Sequence, residues 1–180
     1  MLNYLYSPVR LIFVSLLFLV QEGLSGITNP TLVSDAYGNS ICIEVSAGSC
    51  EGEQEIRAAY KSFDSDWQIP EIISEGFSYK DHLIVQKDRE ENIFVAWIGL
   101  DKSNETYSLY ANTWIASQQI WGGVSQISND GKMLCGKCSI ALGDEKTLVM
   151  WSEYGPTMKP VTSVKAWVQG QWLDSSSFSR

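Results

Sequence analysis

Positive charge is scarce in this chain. Thirteen Lys and Arg face 21 Asp and Glu, for a net charge of −8, and beyond the N-terminal stretch the arginines are only Arg57, Arg89 and Arg180. No basic stripe is available for a phosphate backbone, which argues against a nucleic acid partner. Histidine is scarcer still, His82 being the only one. A Ser–His–Asp triad would have to be built around it, and no Gly-x-Ser-x-Gly elbow exists to host the nucleophile. His-Glu-x-x-His and a phosphate-cradling glycine loop are missing too, so neither a catalytic residue nor a cofactor is expected. No metal site is expected either. The acidic turns "DAYGN", "DREEN" and "SNDG" lack the spaced oxygen ligands of a calcium loop, and Asp and Asn favour turns because their side chains bond nearby backbone amides. Paired loop carboxylates acting on a glycoside are the remaining enzymatic alternative. Amphipathic helical periodicity of useful length is absent, which points to an all-β chain.

The N-terminus is different in kind. Residues 1–25 place Arg10 before the apolar run "LIFVSLLFLV", followed by Gly23 and Ser25 at the −3 and −1 positions of a cleavage site. The run is shorter than the roughly 20 apolar residues a bilayer span needs. The expectation is an export signal cleaved near Ser25, leaving residues 26–180 as a secreted, periplasmic or cell-surface domain. An oxidising compartment permits disulfides, and all four cysteines, Cys42, Cys50, Cys135 and Cys138, lie in that part.

Self-comparison of the chain reveals a repeat. "WQIPEIIS" from Trp67 matches "WGGVSQIS" from Trp121, and "NIFVAW" ending at Trp97 matches "TLVMW" ending at Trp151, both at a spacing of 54 residues. "LVSDAYGNSICIE" (32–44) supplies a third copy in which Glu44 takes the place of the tryptophan. Each copy runs through an apolar stretch, a polar turn (35–39, 88–92, 143–146) and an alternating apolar strand, which reads as a hairpin. A polar loop follows, then a third strand ("IRAAYKSF", "YSLYANTW", "VTSVKAWV") and a fourth beginning near a tryptophan. The expected architecture is all-β and propeller-like: three four-stranded antiparallel blades of about 54 residues, spanning about 27–80, 81–134 and 135–180.

These motifs, "NPTLVSDAYGNSICIE", "EIRAAYKSFDSDWQIPEIIS" and the copies that follow, resemble the tandem repeats of secreted bacterial β-propellers with sialidase-like blades. The Asp-box turn of that family is represented only by "SNDGK" (128–132), and the carboxylate-binding arginine triad of its enzymes has no supply here. The resemblance therefore implies a fold and not a sialidase activity. Because each blade buries its faces against neighbours, three blades leave two faces open. Two chains closing one six-bladed ring would cover them; the alternative is a chain that is a shortened remnant of a longer array.

Five tryptophans (Trp67, Trp97, Trp121, Trp151 and Trp172) recur at repeat positions and read as packing residues between blades. Tyr60, Trp114 and Trp167 sit at the ends of third strands, which feed the loops of one face, and are the candidate ligand-binding residues. The function expected is non-catalytic binding of a glycan or protein through those loops. His82, in "SYKDHLIV", reads as a surface or turn residue in a connector. Cys135 and Cys138 fall between repeats rather than at a helix N-terminus, so a structural clip is expected instead of a redox centre. The pairing stays open between Cys135–Cys138 with Cys42–Cys50 and cross-links between repeats.

Overall fold

A computed structural model describes residues 30–48, 52–101, 106–128, 134, 138–142, 146–154, 158–168 and 170–173. The expected export signal, Cys50 and Cys135 lie outside them. All regular structure among the described residues is β. The first sheet runs β1 (Thr31–Ser34), β2 (Ser40–Ala47), β3 (Gln54–Lys61) and β4 (Glu71–Ile72). The second holds β5 (Phe77–Lys87), β6 (Ile93–Asp101), β7 (Thr106–Ile115) and the short β8 (Ile120–Trp121) and β9 (Ser125–Gln126). The third comprises β10 (Ser139–Leu142), β11 (Thr147–Tyr154), β12 (Pro160–Val168) and β13 (Gln171–Leu173). Each sheet is an antiparallel meander in which strands pair in chain order, with β9 adding to β7.

The repeat in the sequence is a repeat of hydrogen bonds. In the first hairpin Asp35 Oδ1 accepts from the amides of Tyr37 and Asn39, and Asn39 Nδ2 donates back to Asp35 Oδ2. In the second hairpin Asp88 accepts from Glu90 and Asn92 in the same way, and Asn92 Nδ2 returns to Asp88. Each asparagine then uses its carbonyl to accept from the turn after the third strand, Asn39 from Phe63 N and Asn92 from Ala116 N, both at 3.1 Å. The Ile-Ser ending of each fourth-strand segment has an equally specific role. Ile73 and Ile127 are buried, while Ser74 Oγ and Ser128 Oγ accept from the amides of Ile56 and Leu109 in the third strands, both at 2.9 Å.

The second sheet lies between the other two. Alternation along a strand sends successive side chains to opposite faces. Thus Ile93, Val95 and Trp97 of β6 pack with Ile41, Ile43, Ile56 and Ala58 of the first sheet. On the opposite face Ala96, Leu109 and Ala111 pack with Val149 and Trp151 of the third. Trp97 and Trp151, expected as packing residues, are both buried in these junctions.

Two expectations change. "YKDHLI" is no connector: it lies within β5, which follows β6 through two register shifts around Asp81 and Ile84, and His82 takes φ 58 at that bulge. No disulfide is seen among the described residues, and the Cys135–Cys138 and Cys42–Cys50 pairings each involve a residue outside them. Cys42 and Cys138 are buried free thiols, and no cysteine pair among the described residues lies at disulfide distance. Cys42 belongs to the first sheet, whereas Cys138 packs in the core between the second and third, so the second sheet separates them.

Candidate functional site

Among the described residues a cleft opens at each junction between neighbouring sheets, and both involve the ends of the third strands. The first, of about 390 Å³, lies between the first and second sheets. Tyr60 of β3 and Trp114 of β7 line it together, their rings stacked at 5.4 Å with 27° between planes. Trp121, paired with Trp114 across β7 and β8, meets the same indole edge-on at 5.7 Å. Trp114 is consequently only 7% exposed.

The rim of this cleft is built by the two Asp–Asn turns. The first presents Tyr37, which is 79% exposed. Burial alone would raise the pKa of Asp35, but the hydrogen bonds from Asn39 and from the Tyr37 amide, with the charge of Lys87, outweigh it and hold the carboxyl below its ordinary value of 3.8. The second turn brings Lys87, which pairs with Glu91 and donates to the Ser34 carbonyl at 2.8 Å, tying the second sheet to the end of β1. Asp35, Asp88 and their asparagines are thus occupied in holding the turns, as the sequence suggests. Such a rim offers hydrogen bonds and charge around an aromatic wall, a pattern suited to recognition.

The second cleft, of about 370 Å³, lies between the second and third sheets. Trp167 of β12 and Trp172 of β13 line it, with Thr113 and Ser125 across from them, Gln171, and the backbone of Gly122, Gly123 and Gly170. Gly123 and Gly170 hold φ of 93° and 86°, a left-handed backbone that disfavours any side chain. Trp167 contacts Trp172 at 5.3 Å and 65°, and Phe94 at 6.0 Å and 77°. Of the three aromatic residues singled out in the sequence, the fold therefore brings Tyr60 and Trp114 together and sets Trp167 at the next junction.

Tyr37, Thr113 and the glycines were not legible as lining residues. The exposed Phe63 was also missed; it lies over Gly38, where a Cβ would meet its ring at 2.5 Å. Tyr37 carried a signal, since it falls inside the "DAYGN" turn. Thr113 required an exact register. Counting back from Trp67 and Trp121 equates Tyr60 with Trp114, but the pairing of Tyr60 with Ile41 and of Thr113 with Phe94 equates Tyr60 with Thr113.

His82, Cys42 and Cys138 stand apart from both clefts. His82 Nδ1 lies 2.8 Å from Asp81 Oδ2, close enough for an ion pair but without hydrogen-bond alignment, and it lines neither cleft. Burial pushes the Cys138 thiol up to about 11, far from the depressed value a redox cysteine needs. Burial, followed by the charge of Glu44, likewise raises the Cys42 thiol. Among the described residues no helix is long and apolar enough to cross a membrane. Compared with known proteins, the chain matches no family model and no curated protein.

Proposed function

We propose that this chain is an exported, non-catalytic binding module that recognises a glycan or protein ligand through loops on one face of a propeller-like arc of three blades. The observation that carries this reading is the position of Tyr60, Trp114 and Trp167, all at third-strand ends and all on clefts between sheets. Three successive antiparallel meanders, the first two sharing the same turn hydrogen bonds, support the propeller-like arrangement. Exposed Tyr37 at the mouth of the first cleft adds a large, rigid, amphipathic contact surface of the kind interfaces favour.

The test is capture on a glycan array and in pull-downs with the full chain, run beside an assay for glycoside cleavage. Capture without turnover, weakened at least tenfold by Tyr37→Ala or Trp167→Ala, is the expected result. Turnover abolished by changing one loop carboxylate would overturn the proposal in favour of the glycosidase alternative.

A further inference from the structure

We propose that the cleft between the second and third sheets is a saccharide slot in which a pyranose ring stacks on Trp167, taking the position that the Tyr60 ring holds on Trp114 one junction earlier. This rests on the binding-module reading above and names its ligand class and site. The two clefts are repeats of one another. Trp114 pairs with Ile93 and Trp167 with Thr147, each at the start of a second strand, while Tyr60 pairs with Ile41 and Thr113 with Phe94 one position further on. The fourth-strand bonds agree: Gln68 N donates to Tyr60 O and Gly122 N to Thr113 O, both at 2.8 Å. At the first junction the face of the tryptophan is taken by a tyrosine from the neighbouring sheet. At the second the tyrosine is replaced by threonine, and the ring-sized space is left to the cleft.

Among the described residues no ring fills that space in the same manner. Phe94 and Trp172 meet Trp167 at steep angles, 77° and 65°, where Tyr60 lies at 27° to Trp114. The hydroxyl of Thr113 supplies a second, independent sign of a ligand. Thr113 is 2% exposed, and its Oγ1 is buried with no hydrogen-bond partner among the described residues, an arrangement that costs about 1–3 kcal/mol unless something satisfies it. A pyranose offers what this cleft asks for, an apolar C–H face for the indole and a rim of hydroxyls for Thr113, Ser125 and Gln171. An aromatic side chain would match the indole but leave those polar groups unanswered, and sites built around hydrogen bonds reject such partners.

The experiment titrates the full chain with methyl glucoside, galactoside, mannoside and fucoside, and separately with N-acetyl-tryptophanamide, while following tryptophan indole N–H resonances. The Trp167 signal is assigned by its loss in Trp167→Phe. At least one pyranoside is expected to shift that signal. Thr113→Tyr, which restores the ring present at the first junction, should weaken binding at least tenfold while leaving the rest of the spectrum dispersed. Thr113→Val, which keeps the shape and removes the hydroxyl, should weaken it several-fold. The slot is overturned if no pyranoside moves the Trp167 signal, if Thr113→Tyr binds as well as wild type, or if the tryptophan amide binds more tightly than every sugar. Glycan or protein capture that survives Thr113→Tyr overturns the slot alone, whereas absence of capture by the wild type overturns the wider reading.

Discussion

Glu153 is fully buried, and its carboxylate is held by two donors of its own sheet: Trp151 Nε1 at 2.9 Å and Ser163 Oγ at 2.7 Å. An ionisable group this deep is tolerable only when hydrogen-bonded, and removing it would strand both donors. Glu153→Ala should therefore destabilise the chain by about 2–4 kcal/mol, with Glu153→Gln closer to wild type because its carbonyl still accepts. Urea unfolding of the two variants checks this, and equal midpoints would show that the carboxylate is not the anchor. The sequence shows Trp151 by its repetition but hides Glu153, because the equivalent residue one repeat earlier is Gly99. A Cβ there would come within 3.0 Å of both Trp97 Nε1 and the Tyr110 ring. Packing differs between copies at this position even though the tryptophan is shared, so repetition alone cannot reveal the acid. That Cys42 and Cys138 do not pair is hidden for a related reason. An even count in a chain expected to be exported suggests bridges, while the sheet order that keeps Cys42 from Cys138 is a tertiary fact.

At the scale of the element, the unit that repeats is a turn clasped to a neighbouring turn. Gly38 and Glu91 occupy the same place in the two clasps, with φ of 86° and 65°. Gly38 must be small because Phe63 lies over it, and the matching residue in the next copy is Ala116, beside which Glu91 is accommodated. The first clasp depends on an ionised Asp35. Its folded pKa is lowered, so the stabilisation is present above the ordinary carboxylate pKa and is lost as pH falls through the depressed folded value. The Tyr37 and Asn39 amide resonances should accordingly move together on acidification below about pH 4. In Asp35→Ala they should be displaced already at neutral pH, with a stability loss of about 1 kcal/mol. Amide shifts that track the bulk acid transition instead of a separate local step would contradict this. The hairpins and third strands could be read in advance, since alternation and Asp/Asn/Gly turns are local signals. The length of β5 could not. Its bulge at Asp81–His82 interrupts the alternation, and pairing with β6, which is non-local, decides that the segment is a strand.

For the whole molecule the decisive feature is an asymmetry between its two end sheets. Positions that face the preceding sheet carry Trp97 and Trp114 in the second sheet and Trp151 and Trp167 in the third. The first sheet has Glu44 and Lys61 there instead, with Arg57 paired to Glu44 across the strands and in contact with Glu55 at 3.3 Å. Such a polar outer face is what a capping repeat presents to water. The opposite end has no such replacement. Alternation puts Leu148, Met150 and Val164, all half-buried, on the outer face of the third sheet, with exposed Leu173 beside the buried Ala166. Their counterparts in the other sheets, such as Ile41, Ile43 and Ala58 or Phe94, Ala96 and Ala111, are buried. A head-to-tail ring of two chains would press the apolar face of the third sheet onto the charged face of the first, leaving Glu44 and Arg57 to be desolvated. Pairing of third sheets from two chains, an isologous contact, buries apolar against apolar and avoids that cost. The expected outcome is a dimer in sedimentation velocity that Met150→Lys converts to monomer and Glu44→Ala leaves intact. Loss of the dimer in both variants would favour the closed ring, and a wild-type chain that sediments only as a monomer would contradict both arrangements.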